Sequence, residues 1–174
     1  MTGGGNGWSA GPDGTRRWGR FGAAGLLLVA DPDDGDTAAT VLLQHRAAWT
    51  ADGDTWGIPG GALEENENAV EAALRETEEE TGISPADVSV HRAVTTAGPF
   101  PKDPHRPELA GGWTYTVVLA TCPGRLDVVC NNESTALEWV EIEDVAGKNL
   151  LPAFADSWPR LKALIGYDPS TGGR

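Results

Sequence analysis

Short apolar runs alternate with turn-forming residues along the chain and divide it into segments of strand length and helix length. The run FGAAGLLLVA (21–30) predicts a buried strand, and ATVLLQHR (39–46) predicts a second strand after the turn sequence DPDDGD. We expect these two strands to pair as a hairpin. Strand patterns recur at 88–96, 113–121 and 136–142.

Two segments have helical periodicity, at 67–81 and 154–165, and Pro159 requires the second helix to start late or to bend. EDVAGK (143–148) is expected to form one helical turn. Because the strands and helices mix without a regular βαβ repeat, the pattern predicts an α/β fold, a sandwich with a mixed sheet.

The ends of the chain and one internal segment lack these patterns. Residues 1–16 are rich in glycine and predict a flexible arm, residues 17–166 predict one domain, and residues 167–174 predict a tail. The segment 98–112 contains four prolines and three glycines. A loop of that length is either functional or disordered, so both closure over phosphates and disorder remain open.

The first helical segment is unusually acidic, since eight glutamates and one arginine lie between residues 64 and 80. Its apolar stripe, at i, i+3, i+4 and i+7 spacing, consists of Val70, Ala73, Leu74 and Thr77. Gly82 stands where a glycine would end the helix. The remaining question is what compensates for so much negative charge, because like charges one turn apart repel each other.

Three carboxylates of this helix, Glu76, Glu79 and Glu80, share a second face, and Glu80 lies at the edge of the apolar stripe. Desolvation and mutual repulsion would raise the pKa values of these groups unless a cation lies between them. Oxygen ligands select a hard ion such as magnesium, manganese or calcium. A solvated acidic face is the alternative, but the Gly-Gly turn before the helix, Arg75 within it and the glycine after it favour an ion-binding loop and helix.

Charge and composition limit the possible partners. The net charge is −13 and the isoelectric point is about 4.5, which disfavours polymeric nucleic acid and anionic membranes. A small phosphate compound can still bind if metal ions bridge it to the protein. The apolar runs are too short for a membrane helix, the start lacks a signal-peptide pattern, and Cys122 and Cys130 have no zinc-site spacing. These features predict a cytoplasmic protein, either a monomer or a homodimer.

The acidic segment resembles the Nudix box, G-x5-E-x7-R-E-U-x-E-E-x-G-U. The chain has the matching residue at every fixed position, namely Gly61, Glu67, Arg75, Glu76, Glu79, Glu80, Gly82 and Ile83. Thr77 departs from the pattern, because an aliphatic residue is usual there. The segments RWGRFGAAGLLL, TWGIPGGA, GGWTYTVV and ESTALEWV are also similar to actinobacterial MutT-type Nudix proteins.

This resemblance implies an α/β/α sandwich in which the box forms a loop, a helix and a second loop. It also implies metal-dependent hydrolysis of a nucleoside diphosphate linked to a further group. MutT-type members split nucleoside triphosphates, 8-oxo-dGTP among them, into a monophosphate and pyrophosphate. Other diphosphates, such as ADP-ribose, a dinucleoside polyphosphate or a sugar nucleotide, are alternative substrates. A nucleotide sensor without catalysis is an alternative of another class.

The resemblance also implies roles for individual residues. Glu76, Glu79 and Glu80 would hold magnesium, or manganese in its place, together with the Gly61 carbonyl. Glu67 would support the helix and the loop, and Arg75 would orient a ligand carboxylate.

Glu133 stands six residues before Trp139, the spacing of a further glutamate in MutT-type proteins, and would be a further metal ligand or the general base. Glu79 and Glu76 are the other candidates for the base.

Three residues outside the box are candidates for substrate binding. Arg46 suits phosphate, with a surface ion pair as the alternative. Trp113 could stack on a base, with burial as the alternative. Asn132 and its neighbour Asn131 could bond a purine edge, with turn formation as the alternative.

Overall fold

The structure, a computed structural model, describes residues 4–33, 35 and 38–166. Its strands are β1 (Trp8–Ala10), β2 (Arg16–Trp18), β3 (Ala23–Ala30), β4 (Thr40–Arg46), β5 (Trp56–Gly57), β6 (Gly60–Ala62), β7 (Ser89–Phe100), β8 (Trp113–Cys122) and β9 (Ser134–Glu141), and its helices are α1 (Ala69–Thr81) and α2 (Pro152–Gly166). Short 3-10 segments occur at Pro12–Gly14, Pro85–Asp87 and Ile142–Gly147.

Seven of these strands form one mixed sheet. Its main order is β5-β4-β3-β8-β7, with β6 also paired to β3 and β9 also paired to β4. Strands β3 and β8 run parallel, and the other pairs are antiparallel. The predicted mixed sheet and the predicted pairing of the first two long strands are therefore confirmed.

The sheet separates two hydrophobic layers, and a helix covers each of them. Every residue of β3 is buried, as expected for a strand covered on both faces. On one face Leu26 and Leu28 pack with Ala72 and Ala73 of α1. On the other face Leu27 packs in the cluster that includes Phe154, Trp158 and Leu161 of α2. The architecture is an α/β/α sandwich, as predicted.

Helix α1 begins and ends with defined caps. Asn68 caps its start, since the Glu71 amide donates to Asn68 Oδ1 at 2.8 Å and the Asn68 amide donates to Glu71 Oε2 at 3.2 Å. Gly82 ends the helix at φ 80°, a left-handed conformation that favours glycine. The helix buries Ala73 and Thr77 as predicted, and it also buries Ala72, Glu80 and Thr81.

The glycine loop at β6 and the segments that surround it lie at one end of the sheet. The start of β3 pairs with β6, the start of β8 lies beside the start of β3, and the end of β4 lies beside the start of β9. The loop that connects β6 to α1 begins at this same end. Side chains from distant parts of the sequence therefore meet there.

Three segments differ from the sequence analysis. Residues 8–16, expected in a flexible arm, include β1 and the start of β2, because Ser9 is buried and its hydroxyl donates to the Gly19 carbonyl at 2.7 Å. Strand β7 continues to Phe100, so the long loop starts at 101. Helix α2 continues through Pro159, where both Pro159 and Ala155 are exposed and water can bond the carbonyl that loses its donor. The predicted tail, 167–174, lies outside the described residues.

Candidate active site

The site is built on the contact between the glycine loop of β6 and helix α1. A Cβ atom at Gly61 would lie 2.5 Å from Glu76 Cδ, so any larger residue at this position would displace the Glu76 carboxylate from its place against the backbone. One residue earlier, the Gly60 amide donates to Glu80 Oε2 at 2.9 Å. The loop backbone and two of the helix carboxylates are thus held together.

Arg75 connects the loop to the helix. Its Nε donates to Glu67 Oε2 at 2.8 Å and its Nη2 donates to Glu67 Oε1 at 2.9 Å, which is a bidentate pair. Its Nη1 donates to Glu76 Oε1 at 2.8 Å, and its Nη2 also donates to the Ala62 carbonyl at 3.1 Å. This arrangement matches the supporting role expected for Glu67 and the orienting role expected for Arg75.

Burial changes the proton affinity of two box carboxylates. Desolvation raises the pKa of Glu80 to about 8, although the Gly60 amide opposes the shift, and the charges of Glu76 and Glu133 add to it. Desolvation also raises the pKa of Glu76, while the hydrogen bond from Arg75 lowers it. The hydrogen bond from Arg75 holds the pKa of Glu67 below its usual value. The site therefore contains one buried carboxylate, Glu80, and one half-buried carboxylate, Glu76, whose charged forms desolvation disfavours.

Glu79 and Glu133 complete the acidic cluster at a greater distance. The Glu79 side chain is 57% exposed, and its Oε1 lies 3.5 Å from Arg75 Nη1. Glu133 is exposed at the start of β9, yet its charge raises the pKa of both Glu76 and Glu80. The spacing of Glu133 from Trp139 thus identified a residue that the fold brings to the box.

The four carboxylates do not form a complete coordination sphere in the described conformation. Across residues 4–33, 35 and 38–166, no three His, Cys, Asp or Glu side chains lie close enough together to hold a metal ion. The expected convergence of Glu76, Glu79 and Glu80 is therefore partial. Arg75 Nη1 contacts both Glu76, at 2.8 Å, and Glu79, at 3.5 Å, so a protein cation stands between these two carboxylates.

The donor set nevertheless fits a hard divalent cation. Glu76 and Glu80 offer carboxylate oxygens, and the Gly61 backbone, which would offer its carbonyl, lies against the Glu76 carboxylate. A cation would stabilise the charged forms of two carboxylates that burial disfavours. A Cβ at residue 61 would fill the space that brings these groups together.

The predicted substrate contacts differ in accessibility. Arg46 is half-buried, its Nε donates to the Ala51 carbonyl at 3.0 Å, and its charge lowers the pKa of Glu80. Among the described residues it has no carboxylate partner. Its guanidinium can therefore donate hydrogen bonds to a phosphate. Asn132 is exposed beside Glu133, while the Asn131 side chain forms a turn by accepting from the Glu133 amide at 2.9 Å.

Trp113 is occupied by packing. It is 7% exposed, its ring stacks 6.0 Å from Phe100, and its Nε1 donates to the Trp18 carbonyl at 3.0 Å. The Tyr115 ring also stacks with the Trp113 ring, with centroids 6.4 Å apart. The structure thus favours the burial alternative over stacking on a base, because the ring is already covered by the protein.

Tyr115 is a neighbour of the site that the sequence analysis missed. The charge of Glu80 and desolvation raise the pKa of Tyr115, desolvation being the larger cause, and the charge of Arg46 lowers it. A Cβ at Gly25 would collide with the Tyr115 hydroxyl. Nothing in the local sequence around Tyr115 signals this proximity, because it results from the parallel register of Tyr115 with Ala23.

Comparison with known proteins agrees with this geometry. The NUDIX domain family matches residues 19–164. A Mycobacterium tuberculosis protein named "Putative 8-oxo-dGTP diphosphatase 3" is 46% identical over 162 residues, which are 93% of this chain and 71% of that protein. An RNA pyrophosphohydrolase of Gluconobacter oxydans is 32% identical over 65% of this chain and 73% of its own length.

Among solved structures, the Nudix hydrolase RenU of M. smegmatis superposes with a TM-score of 0.82 at 42% identity, and the match covers 93% of this chain and 96% of that one. Neither helix in the described part of the chain is long and apolar enough to cross a membrane. The family match, the sequence identity and the structural superposition together assign the chain to the Nudix hydrolase family.

Proposed function

We propose that the protein hydrolyses a nucleoside triphosphate to a nucleoside monophosphate and pyrophosphate with the help of magnesium or manganese. Its foremost candidate substrate is 8-oxo-dGTP, the compound in the name of the Mycobacterium tuberculosis relative. That relative is matched over 93% of this chain, so the match includes the box and the strands that surround it.

One observation carries the proposal. The Gly61 backbone lies against the Glu76 carboxylate, and the Gly60 amide bonds Glu80. This contact brings the loop backbone, the buried Glu80 carboxylate and the half-buried Glu76 carboxylate to one point, where they would hold the cation together with Glu79 and Glu133. A bound magnesium ion would neutralise phosphate charge and lower the pKa of the attacking water.

The protein's own residues would orient the reactants. Arg75 fixes the Glu76 carboxylate through the 2.8 Å bond from Nη1 and is itself fixed by Glu67. Arg46 would bind a phosphate oxygen through the guanidinium donors that the Ala51 carbonyl leaves free.

In the reaction, the water oxygen forms a bond to phosphorus while the bridging P–O bond breaks. The proton of the water passes to a carboxylate, and pyrophosphate leaves. Glu79, Glu76 and Glu133 are the candidates for that carboxylate. The Glu79 side chain is 57% exposed compared with 18% for Glu76, so Glu79 can reach solvent water with less desolvation than Glu76.

A substrate panel tests the proposal. Nucleoside triphosphates, 8-oxo-dGTP, ADP-ribose and a dinucleoside polyphosphate are incubated with magnesium, and pyrophosphate and monophosphates are measured. Pyrophosphate released from a triphosphate supports the proposal. AMP from ADP-ribose with no pyrophosphate from any triphosphate contradicts it.

Matched variants test the site itself. Glu79→Gln is expected to reduce turnover by 100-fold or more, on the order of what misplaced catalytic groups cost. Glu78→Gln is the control, because Glu78 is an exposed glutamate of the same helix at a variable position of the box. Equal turnover in the Glu79 variant and the control would remove Glu79 from the mechanism.

A further inference from the structure

Large aromatic side chains are exposed on the hairpin formed by β1 and β2 and on the turn that follows it. Trp8 is 38% exposed, Trp18 is 48% exposed and Phe21 is 42% exposed. Trp8 and Trp18 stand directly opposite each other, with ring centroids 5.0 Å apart and an edge-to-face geometry. A group of exposed rings contributes little to a core and is typical of a binding surface.

Cations lie over two of these three rings. The Arg16 guanidinium lies 3.9 Å from the Trp8 ring centroid, and the Arg20 guanidinium lies 5.7 Å from that of Phe21. Lys102 lines a cavity of about 290 Å³ together with Trp8 and Arg20. We define the hairpin patch as Trp8, Arg16, Trp18, Arg20, Phe21 and Lys102.

The cations of the hairpin patch are not neutralised by ion pairs. Arg16, Arg20 and Lys102 have no carboxylate within ion-pair distance among the described residues. Arg106, in the same long loop as Lys102, is instead paired with Asp103 at 2.9 Å. Glu108 is the one acidic residue that lines the cavity within the described part of the chain. The patch is therefore locally positive although the whole chain carries a net charge of −13.

We propose that the hairpin patch binds single-stranded nucleic acid. Unpaired bases stack on exposed aromatic rings, and arginine and lysine attract the phosphates between them, which is how proteins hold single strands without reading sequence. Net charge over the whole chain disfavours polymeric nucleic acid at long range, but contacts within a Debye length depend on the local charge. An acidic peptide would use the cations and leave the three rings unused.

The hairpin patch is fixed to the same end of the sheet as the carboxylates. The Arg20 amide donates to the Gly5 carbonyl at 3.0 Å, and the Leu63 amide, two residues after Gly61, donates to the Gly22 carbonyl at 3.0 Å. The Trp18 carbonyl accepts from Trp113 at the start of β8. A bound strand would thus lie beside the box. A bound strand that ends in phosphates would offer them to the box, and this part of the inference rests on the proposed function.

Binding is measured by fluorescence anisotropy with a short oligothymidylate that has a 5′ hydroxyl and a 3′ fluorophore. This probe has no terminal phosphates to hydrolyse, so the result is independent of the proposed function. We expect saturable binding at low salt. The slope of log K against log salt should be about −2, since three cations each contribute about −0.7 on single strands.

The variants separate charge from stacking. Arg20→Gln combined with Lys102→Gln should reduce the salt slope to about −0.7. Arg92→Gln is the charge control, because Arg92 is an exposed arginine on β7 that also lacks an ion pair among the described residues. Trp8→Leu should weaken binding about tenfold, within the range of one lost base stack. Trp8→Phe keeps a ring and should retain most of the affinity.

Three results would overturn the proposal. The first is a wild-type protein that shows no saturable binding at low salt. The second is an Arg92→Gln variant that loses as much affinity as the double variant, which would indicate nonspecific attraction. The third is binding of a polyglutamate peptide as tight as that of the oligonucleotide and unchanged by Trp8→Leu. This result would indicate a site for acidic peptides. Unchanged melting temperatures of the variants show that the hairpin remains folded.

Discussion

Replacement of Thr77 by valine is expected to stabilise the protein. Thr77 is the position at which the chain departs from the Nudix box pattern, and it is 1% exposed in the layer between α1 and the sheet. Its hydroxyl oxygen has no hydrogen-bond partner. Valine has the same branched shape and replaces the unpaired hydroxyl with a methyl group.

The magnitude follows from the cost of an unpaired polar group. Burial of a hydroxyl without a partner costs about 1–3 kcal/mol in proteins. We expect Thr77→Val to raise the free energy of unfolding by about 1–2 kcal/mol. The gain is smaller than the full cost, because the substitution also removes a solvated hydroxyl from the unfolded chain. In a protein of this length, that gain corresponds to a rise in melting temperature of about 2–8 °C.

Thermal unfolding followed by circular dichroism, with a chelator present to remove metal effects, measures this shift. Thr81→Val is the matched control one turn later. The Thr81 hydroxyl donates to the Thr77 carbonyl at 2.7 Å and accepts from the Ile83 amide at 3.2 Å, so its loss should lower the melting temperature. A melting temperature that stays unchanged or falls in Thr77→Val would refute the assignment of an unpaired hydroxyl.

Three further predictions concern the loop, the ion pair and the metal. Gly61→Ala places a Cβ 2.5 Å from Glu76 Cδ and should reduce turnover about 100-fold. Gly57→Ala is the control and should keep wild-type turnover, because its Cβ would meet no atom nearer than 3.8 Å. Similar turnover in both variants would contradict this prediction. Arg75 lowers the pKa of Glu67, so the pair stabilises the fold above the ordinary carboxylate pKa, and this stability is lost as pH falls through the lowered pKa. Glu67→Gln should therefore weaken the loss of unfolding free energy at acid pH, measured by urea titrations at several pH values. An unchanged pH dependence would argue against the pair. Magnesium at 100 times its Kd should raise the free energy of unfolding by about 2.7 kcal/mol, and a thermal scan that shows no shift with metal would count against a folded-state site.

The box was predictable because it is local in sequence. The spacing of Glu76, Glu79 and Glu80 along one helix, and a glycine at each end of the segment, fixed the candidate ligands before any tertiary contact was known. The structure places Gly61 against Glu76 and buries Glu80 as that spacing implies.

The 57% exposure of the Glu79 side chain was not predictable from helical spacing, because spacing does not show which segments of the fold cover that face of the helix. Contacts between distant segments were missed for the same kind of reason. Tyr115 approaches Gly25 only because β8 runs parallel to β3. The first 16 residues were predicted to be flexible because they are rich in glycine, yet Ser9 is buried and its hydroxyl donates to the Gly19 carbonyl.

The central claim is that the Gly61 loop and the carboxylates of α1 bind a divalent cation that the hydrolysis requires. Anomalous diffraction from crystals soaked in manganese tests it most directly. We predict a manganese peak at coordination distance from carboxylate oxygens of Glu76 and Glu80, with turnover that a chelator abolishes. A difference map with no anomalous density there, together with turnover that persists in the chelator, would contradict the account.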